Sequence, residues 1–271
     1  MSNIEIKNKN KYNNPNFIKQ LSVKEILEID GYVRYNCDIS ASEEDIKIIE
    51  KEFNNLKRDK YALENTQRHR AYSNAIILPW LNNKIVWLPV IIEEGEELSI
   101  YDQGNNNPEH TEVRYFNAIS QESKDTKLLN DLIISDFKNT IGLNMSSPIF
   151  VGVHFVNTFC DNSKRQGVAS PDALHQDGEP FTFAHLFCRN DYVDGGINYI
   201  STPENRNKKP EDVKKDEILA KFTLNEFLDS FAIYDEKVSH YVSPVKTTTE
   251  GVKAERKIIL IDFCNSSQEL N

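Results

Sequence analysis

The chain has 271 residues, 39% of them hydrophobic, which is enough to bury a sizeable core. Acidic residues outnumber Lys and Arg by 42 to 32, giving a net charge of -10. That balance disfavours a phosphate-backbone binder and an anionic membrane surface as partner. The four cysteines, Cys37, Cys160, Cys188 and Cys264, show no CxxC spacing, so zinc ribbons and disulfide frameworks drop out.

In chain order, residues 1–20 are Asn/Lys-rich without an apolar core of signal-peptide length. They read as a flexible arm, and the expected address is cytoplasmic. Ser22 and Glu25 form a capping-box pattern that opens a short helix through Ile29. Ser42 caps a longer helix carrying Ile46, Ile49, Phe53 and Leu56 at helical spacing. YSNAIILPW (72–80) and KIVWLPVII (84–92) flank Asn82 and Asn83 and predict a hairpin. A third helix is expected around 124–140, where Leu128, Leu129, Leu132, Ile133 and Phe137 share a face. Beyond 148 the runs are short and strand-like: 149–159, 180–188, 196–200, 230–234, 238–245 and 256–263, with the charged stretch 202–217 as an exposed insert. This order predicts a mainly β fold with flanking helices, a barrel or sandwich braced by helices. One domain over 21–265 is expected, with helices mainly in 21–145 and the β core mainly in 149–265.

The string LHQDGEP (174–180) carries the first chemical signal. His175 and Asp177 are two apart, so on an extended strand both project from one face. They supply two corners of a 2-His-1-carboxylate triad, which holds Fe(II) while leaving positions open for substrate and oxygen. His240, in the strand-like KVSHYVSP, is the candidate third ligand. Arg256 begins RKIILIDF, where a period of two puts Arg256, Ile258 and Leu260 on one face. A guanidinium on an apolar face needs a buried anion, and a dicarboxylate offers one with matching fork geometry. The ordinary alternative is a strand-end arginine in a surface ion pair. His-x-Asp, a distant strand histidine and an arginine one strand later follow the order of the Fe(II)/2-oxoglutarate-dependent oxygenases.

LHQDGEPFTFAHLF, DGGINYIS, FAIYDEKVSHYVSPV and ERKIILIDF resemble the bacterial 2-oxoglutarate/Fe(II)-dependent dioxygenase family of free amino-acid hydroxylases, which contains L-isoleucine 4-hydroxylase. RHRAYSNAI (68–76) and EVRYFNAI (112–119) extend the resemblance upstream, to most of residues 65–265. The resemblance implies a double-stranded β-helix (jelly-roll, cupin-like) core, with Fe(II) as cofactor and 2-oxoglutarate and O2 as cosubstrates. It implies His175, Asp177 and His240 as iron ligands and Arg256 as the partner of the 2-oxoglutarate C5 carboxylate. Asn198 stands where related enzymes place a Thr, Ser or Asn on that carboxylate; it also suits a polar residue flanking a hairpin. His154 matches a polar position expected to bond cosubstrate or substrate, and His185 also has a counterpart. Both histidines fall on apolar strands, where a satisfied core residue is the commoner explanation. Arg70 and Arg114, in the upstream strings, are candidates for a substrate carboxylate, against the alternative of surface salt bridges. Asn157 departs from the family, which often carries an arginine there; if that arginine reads the substrate, an enzyme with Asn157 reads a different one or reads it differently. Phe181, Phe183 and Leu186 are expected as apolar walls, although alternation lets only one face look inward.

The expected activity is hydroxylation of a free L-amino acid with an aliphatic or similar side chain, releasing succinate and CO2. Two alternatives are the same chemistry on a protein side chain or carrier-bound amino acid, and a non-catalytic metal-binding cupin-like barrel. Arg256 and the Gly195-Gly196-x-Asn198 element argue against the last, because a storage site has no use for a dicarboxylate clamp. The expected partner is a small-molecule L-amino acid, with no nucleic acid and no membrane. Oligomeric state stays open, a homodimer being one option.

Overall fold

The computed structural model describes residues 21–102, 112–162, 165–169 and 171–265; the arm expected over 1–20 lies outside them. Ser22 caps α1 (Val23–Asp30) with the reciprocal Glu25 bonds of a capping box. After β1 (Tyr32–Asn36), Ser42 caps α2 (Glu43–Asn55). β2 (Arg68–Leu78) turns through Asn82 and Asn83, both left-handed, into β3 (Lys84–Trp87). The expected hairpin therefore forms, but its second arm ends early. Pro89 has no N–H to give a ladder, and pairing resumes only in β4 (Ile91–Glu93), which joins β5 (Glu96–Tyr101) and β6 (Arg114–Asn117) in a small sheet. The third expected helix is two: one turn, α3 (Gln121–Lys124), then α4 (Lys127–Asn139), which Thr126 caps, its hydroxyl oxygen accepting the Leu129 N–H.

The strands that follow are β7 (Ile149–Cys160), β8 (Phe181–Arg189), β9 (Val193–Gly195), β10 (Ile197–Ser201), β11 (Ile218–Thr223), β12 (Asp229–Tyr234), β13 (Ser239–Val242), β14 (Val245–Thr247) and β15 (Ala254–Cys264). A seven-stranded sheet runs β1-β12-β8-β15-β7-β2-β3, and a smaller sheet runs β11-β10-β13, with β14 paired to β9. Alternation divides the labour of the large sheet. Val151, Val153 and Phe155 of β7 and Ile259, Ile261 and Phe263 of β15 pack with α1, α2 and α4 on one face. There Phe53 of α2 stacks on Phe155 and on Phe187, each at 5.0 Å between ring centroids. The other face, from His154, Val156, Thr158, Arg256, Ile258 and Leu260, lines a cavity that the smaller sheet helps to close. The fold is mainly β, a double-stranded β-helix braced by helices.

Two expectations need correction. Phe181 and Phe183 belong to the helix-side core, and Thr182 and Ala184 face the cavity in their place. The register of β8 on β15, Thr182 opposite Asp262 and Ala184 opposite Leu260, dictates this exchange. The stretch 202–217 is not a free insert. Its backbone exchanges hydrogen bonds with Leu174, from Leu174 N–H to Lys208 O (2.9 Å) and from Asn207 N–H to Leu174 O (2.7 Å). Leu174 is fully buried with Val213 and Tyr241, so the polar-looking segment braces the chain entering His175.

Candidate metal centre and substrate cavity

His175 and His240 are joined by reciprocal backbone hydrogen bonds of 2.9 Å each, an isolated antiparallel bridge. This pairing sets their rings 4.1 Å apart, centroid to centroid. The Asp177 carboxylate meets both: His175 Nε2 lies 3.5 Å from Oδ1, and His240 Nε2 lies 3.4 Å from Oδ2. One ligand atom from each residue falls within 4.8 Å of the other two. An ion bound at about 2.1 Å in octahedral geometry needs adjacent donors roughly 3 Å apart, close to these separations. His175 Nδ1 sits 2.8 Å from the Ala173 carbonyl, to which only a protonated nitrogen can donate, so the Nε2 lone pair is left for a metal. Burial, and the neighbouring His175, lower His240 to about 4 against the opposing pull of Asp177, so its imidazole is neutral. Burial alone would raise Asp177, but His240, His175 and the Thr182 hydroxyl hold it below the usual carboxylate range. Two imidazoles and one carboxylate are a donor set that would hold Fe(II) and leave positions for substrate and oxygen.

Asp235, which nothing in the sequence singles out, holds this loop. Its Oδ1 accepts the Asp177 N–H (2.8 Å) and its Oδ2 the Gly178 N–H (2.9 Å). Its own N–H donates to the Pro180 carbonyl at 3.0 Å, and its carbonyl accepts Gln176 Nε2. The His-x-Asp segment is thus fixed from both ends of one residue.

Arg256 faces the cavity beside Ile258 and Leu260, as the period of two requires, and is 7% exposed. Its Nε has no hydrogen-bond partner, and no acidic group pairs with it among the described residues. Burial, then the adjacent Arg189, bring it down to about 9. Arg189 is itself tied to the Gly195 and Val193 carbonyls at 3.0 Å. The double glycine earns its place here. Gly195 (φ 86) and Gly196 (φ 62) both take left-handed conformations. A Cβ on Gly195 would fall 2.0 Å from the Pro244 carbonyl oxygen, and one on Gly196 would fall 3.0 Å from Arg256 Cδ. Asn198 follows on β10, buried and lining the same cavity.

Arg70 and Arg114 also line the cavity, and their guanidiniums sit over the Tyr101 ring at 4.9 and 4.7 Å. Arg114 is 1% exposed, and burial followed by the Arg70 charge lowers its affinity for its proton. Arg70 is held by His154. Arginine has only donors, so Nη2 gives a hydrogen to His154 Nδ1 (2.7 Å), and His154 Nε2–H then donates to Asp262 Oδ2 (2.9 Å). Both ring nitrogens are therefore engaged, and His154 acts on the cavity through Arg70. Burial and the two arginines push its pKa well below the imidazole range. His185 faces the helix side, between Ser230 Oγ and Asp136 Oδ2 at 2.8 Å each, a satisfied core histidine. Asn157 points to that side too, paired across strands with Lys257 and His69, and does not line the cavity. Glu179, also missed in the sequence, is a cavity residue. Period two from Asp177 is the signal that finds it; Asp235 has none, since its partners lie in a distant loop.

The model of the 2OG-Fe dioxygenase family matches residues 50–262. A search of curated proteins gave no match. Among solved structures, IDO (isoleucine dioxygenase) from Bacillus thuringiensis is similar at 22% identity and a TM-score of 0.68, over 92% of this chain and 97% of that one. The Fe(II)/α-ketoglutarate-dependent dioxygenase TqaL gives 14% and 0.67, over 92% and 88%. A bsmA homologue from Methylobium petroleophilum PM1 gives 14% and 0.67, over 89% and 91%. These structures share the fold. The family match takes in the triad, Arg256 and nearly all of the β core, and so the chain belongs to the 2OG-Fe dioxygenase family, an enzyme family that works with Fe(II) and 2-oxoglutarate.

Proposed function

We propose that this dioxygenase hydroxylates a free L-amino acid with an aliphatic or similar side chain. His175, Asp177 and His240 hold the iron, Arg256 and Asn198 receive the C5 carboxylate of 2-oxoglutarate, and residues 21–265 act as one domain. Iron, 2-oxoglutarate and dioxygen together supply the oxidation: 2-oxoglutarate becomes succinate and CO2, and a substrate C–H becomes C–OH.

The observation that carries the reading is a second buried cationic pole. One pole, Arg256, is accounted for by 2-oxoglutarate. The other, Arg70 with Arg114, lies on the far side of β7, since β2 is two strands from β15 and thus roughly 10 Å away. Two guanidiniums held side by side against Tyr101 repel one another, and an anionic group between them relieves that repulsion. A substrate carboxylate is such a group. The His154 and Asp262 chain fixes the direction in which Arg70 presents its donors. Val156, on β7 between the two poles, and Ile258, Leu260, Ala184, Phe231 and Ile233, on β15 and the strands beyond it, give the cavity an apolar wall suited to a hydrocarbon side chain and to excluding water. The name of the Bacillus thuringiensis neighbour agrees with this substrate class.

The test is to incubate the protein, purified without oxygen, with Fe(II), ascorbate, 2-oxoglutarate and each of the twenty L-amino acids. Succinate release and a product one oxygen heavier are expected with at least one of them. Turnover with a peptide or carrier-bound amino acid, and with no free one, overturns the reading. Asp177→Ala abolishes metal-dependent turnover; unchanged activity in that variant removes Asp177 from the metal site.

A further inference from the structure

The reading above places a carboxylate; an amino acid also brings an ammonium group. We infer that Glu179 is the residue that receives the substrate's α-ammonium. This assignment rests on the amino-acid reading and sharpens it to substrates whose amine and carboxylate are both free.

Three carboxylates line the cavity: Asp177, Asp262 and Glu179. Asp177 faces the two histidines and accepts the Thr182 hydroxyl at 3.2 Å. Asp262 accepts His154 Nε2–H and, at 3.1 Å, the Gly152 N–H. Glu179 is 1% exposed, and neither of its oxygens has a hydrogen-bond partner among the described residues. It stands outside the cluster of His175, Asp177 and His240, so it is not a fourth metal ligand. A buried carboxylate left unpaired is costly, and native folds keep one where a ligand completes it. Tyr101 connects the two ends of the site: Glu179, Arg70 and Arg114 are all its electrostatic neighbours. The arginine pair and Glu179 thus line one cavity with Tyr101 as their common neighbour, so cationic and carboxyl groups face the same space. The α-carbon of an amino acid carries its ammonium and carboxylate on the same atom and matches that pattern. Acylation of the amine, as inside a protein chain, removes the cation for Glu179. Esterification of the carboxyl, as on a carrier, removes the anion for Arg70 and Arg114.

The experiment is anaerobic calorimetry on the protein loaded with Fe(II) and 2-oxoglutarate. Each L-amino acid is titrated, and for any that binds, its 2-hydroxy and N-acetyl analogues follow. The wild type should bind the amino acid about 10-fold or more tightly than either analogue, as expected for a charge-assisted hydrogen bond. Glu179→Gln should lose that preference while its affinity for the 2-hydroxy analogue stays within a few-fold. Its ligand-free melting temperature should not fall, whereas loss of a structural contact lowers it. If amino acids bind and Glu179→Gln keeps the wild-type preference, Glu179 is not the ammonium site and the amino-acid reading stands. If the wild type itself does not distinguish amine from hydroxyl, the assignment fails without any variant. If no amino acid binds the wild type, both fail together. Should Glu179→Gln not fold, Glu179→Asp, which keeps the charge on a shorter arm, must retain the preference at reduced strength; an undiminished preference overturns the assignment.

Discussion

A guanidinium buried on an apolar strand face, with no acid beside it, raises the free energy of the ligand-free protein and lowers that of any complex with a suitable anion. Arg256 is in this position. Arg256→Ala is expected to raise the KM for 2-oxoglutarate about 10- to 100-fold, with a much smaller effect on the amino-acid KM. Steady-state kinetics with each substrate varied in turn decide it, and the reverse pattern removes Arg256 from its assigned place. Asp235 calls for a different measurement, because it touches the backbone of the His-x-Asp segment and reaches the metal only through it. An amide at this position accepts at one oxygen where the carboxylate accepts at two. Asp235→Asn is therefore expected to weaken Fe(II) binding about 10- to 100-fold in an anaerobic titration, with the fold retained.

At the scale of elements, the segment before β2 determines where Arg68 and Arg70 begin. Asp59 N–H bonds the Arg68 carbonyl at 2.9 Å, and Arg70 N–H bonds the Lys57 carbonyl at 3.0 Å. The Asp59 carboxylate then takes Arg68 Nε at 2.7 Å. Burial alone would raise the Asp59 pKa, but Arg68 and Arg70 outweigh it and hold the group below its ordinary value. A carboxyl with a depressed folded pKa contributes stability above its unfolded pKa, about 3.9, and loses it as pH falls through the folded value. Asp59→Asn is expected to cost about 3 kcal/mol in urea unfolding at pH 7, and the gap from wild type should narrow below about pH 4. A gap that stays constant with pH contradicts the ion-pair account.

The same scale shows what a sequence can disclose. Caps are local, so Ser22, Ser42 and the helices behind them are visible in a few residues. Strand alternation is local too, which is why Arg256, Ile258 and Leu260 are found on one face. Arg256 is legible for that reason; His175 and Asp177 stand out by their spacing, although they lie in a loop where His175 makes only an isolated bridge and not in the strand expected. The choice between the two faces is not local: Phe181 and Phe183 turn away because of the register with β15, which no single segment encodes. Asp235 and the bracing of Leu174 by 207–208 escape for the same cause, being hydrogen bonds between segments distant in sequence. The two partners of His154, Arg70 and Asp262, stand on the strands either side of it, so its part in holding Arg70 is invisible in its own segment.

For the molecule as a whole, binding at the cavity is linked to unfolding. No helix among the described residues is long and apolar enough to cross a membrane, and Arg256 Nε and the Glu179 carboxyl oxygens, buried without a hydrogen-bond partner among those residues, belong to side chains that line the cavity. A ligand present at 100 times its Kd stabilises by about 2.7 kcal/mol. At roughly 2–4 °C per kcal/mol for a domain of this size, Fe(II) with 2-oxoglutarate should raise Tm by about 5–10 °C in an anaerobic thermal melt. Arg256→Ala should lose the part of that rise due to 2-oxoglutarate, and a full rise in the variant contradicts the assignment.

The backbone bridge between His175 and His240 bears on the order of assembly. Its two hydrogen bonds close through peptide groups alone, so the ligand pair is set in place by chain folding before any ion arrives. In zinc-finger-like modules the metal is needed for the chain to fold at all, and chelation unravels it. Here the pairing of the two histidine-bearing segments calls for no ion. An iron-depleted chain is therefore expected to keep its fold, which circular dichroism of the chelated protein checks.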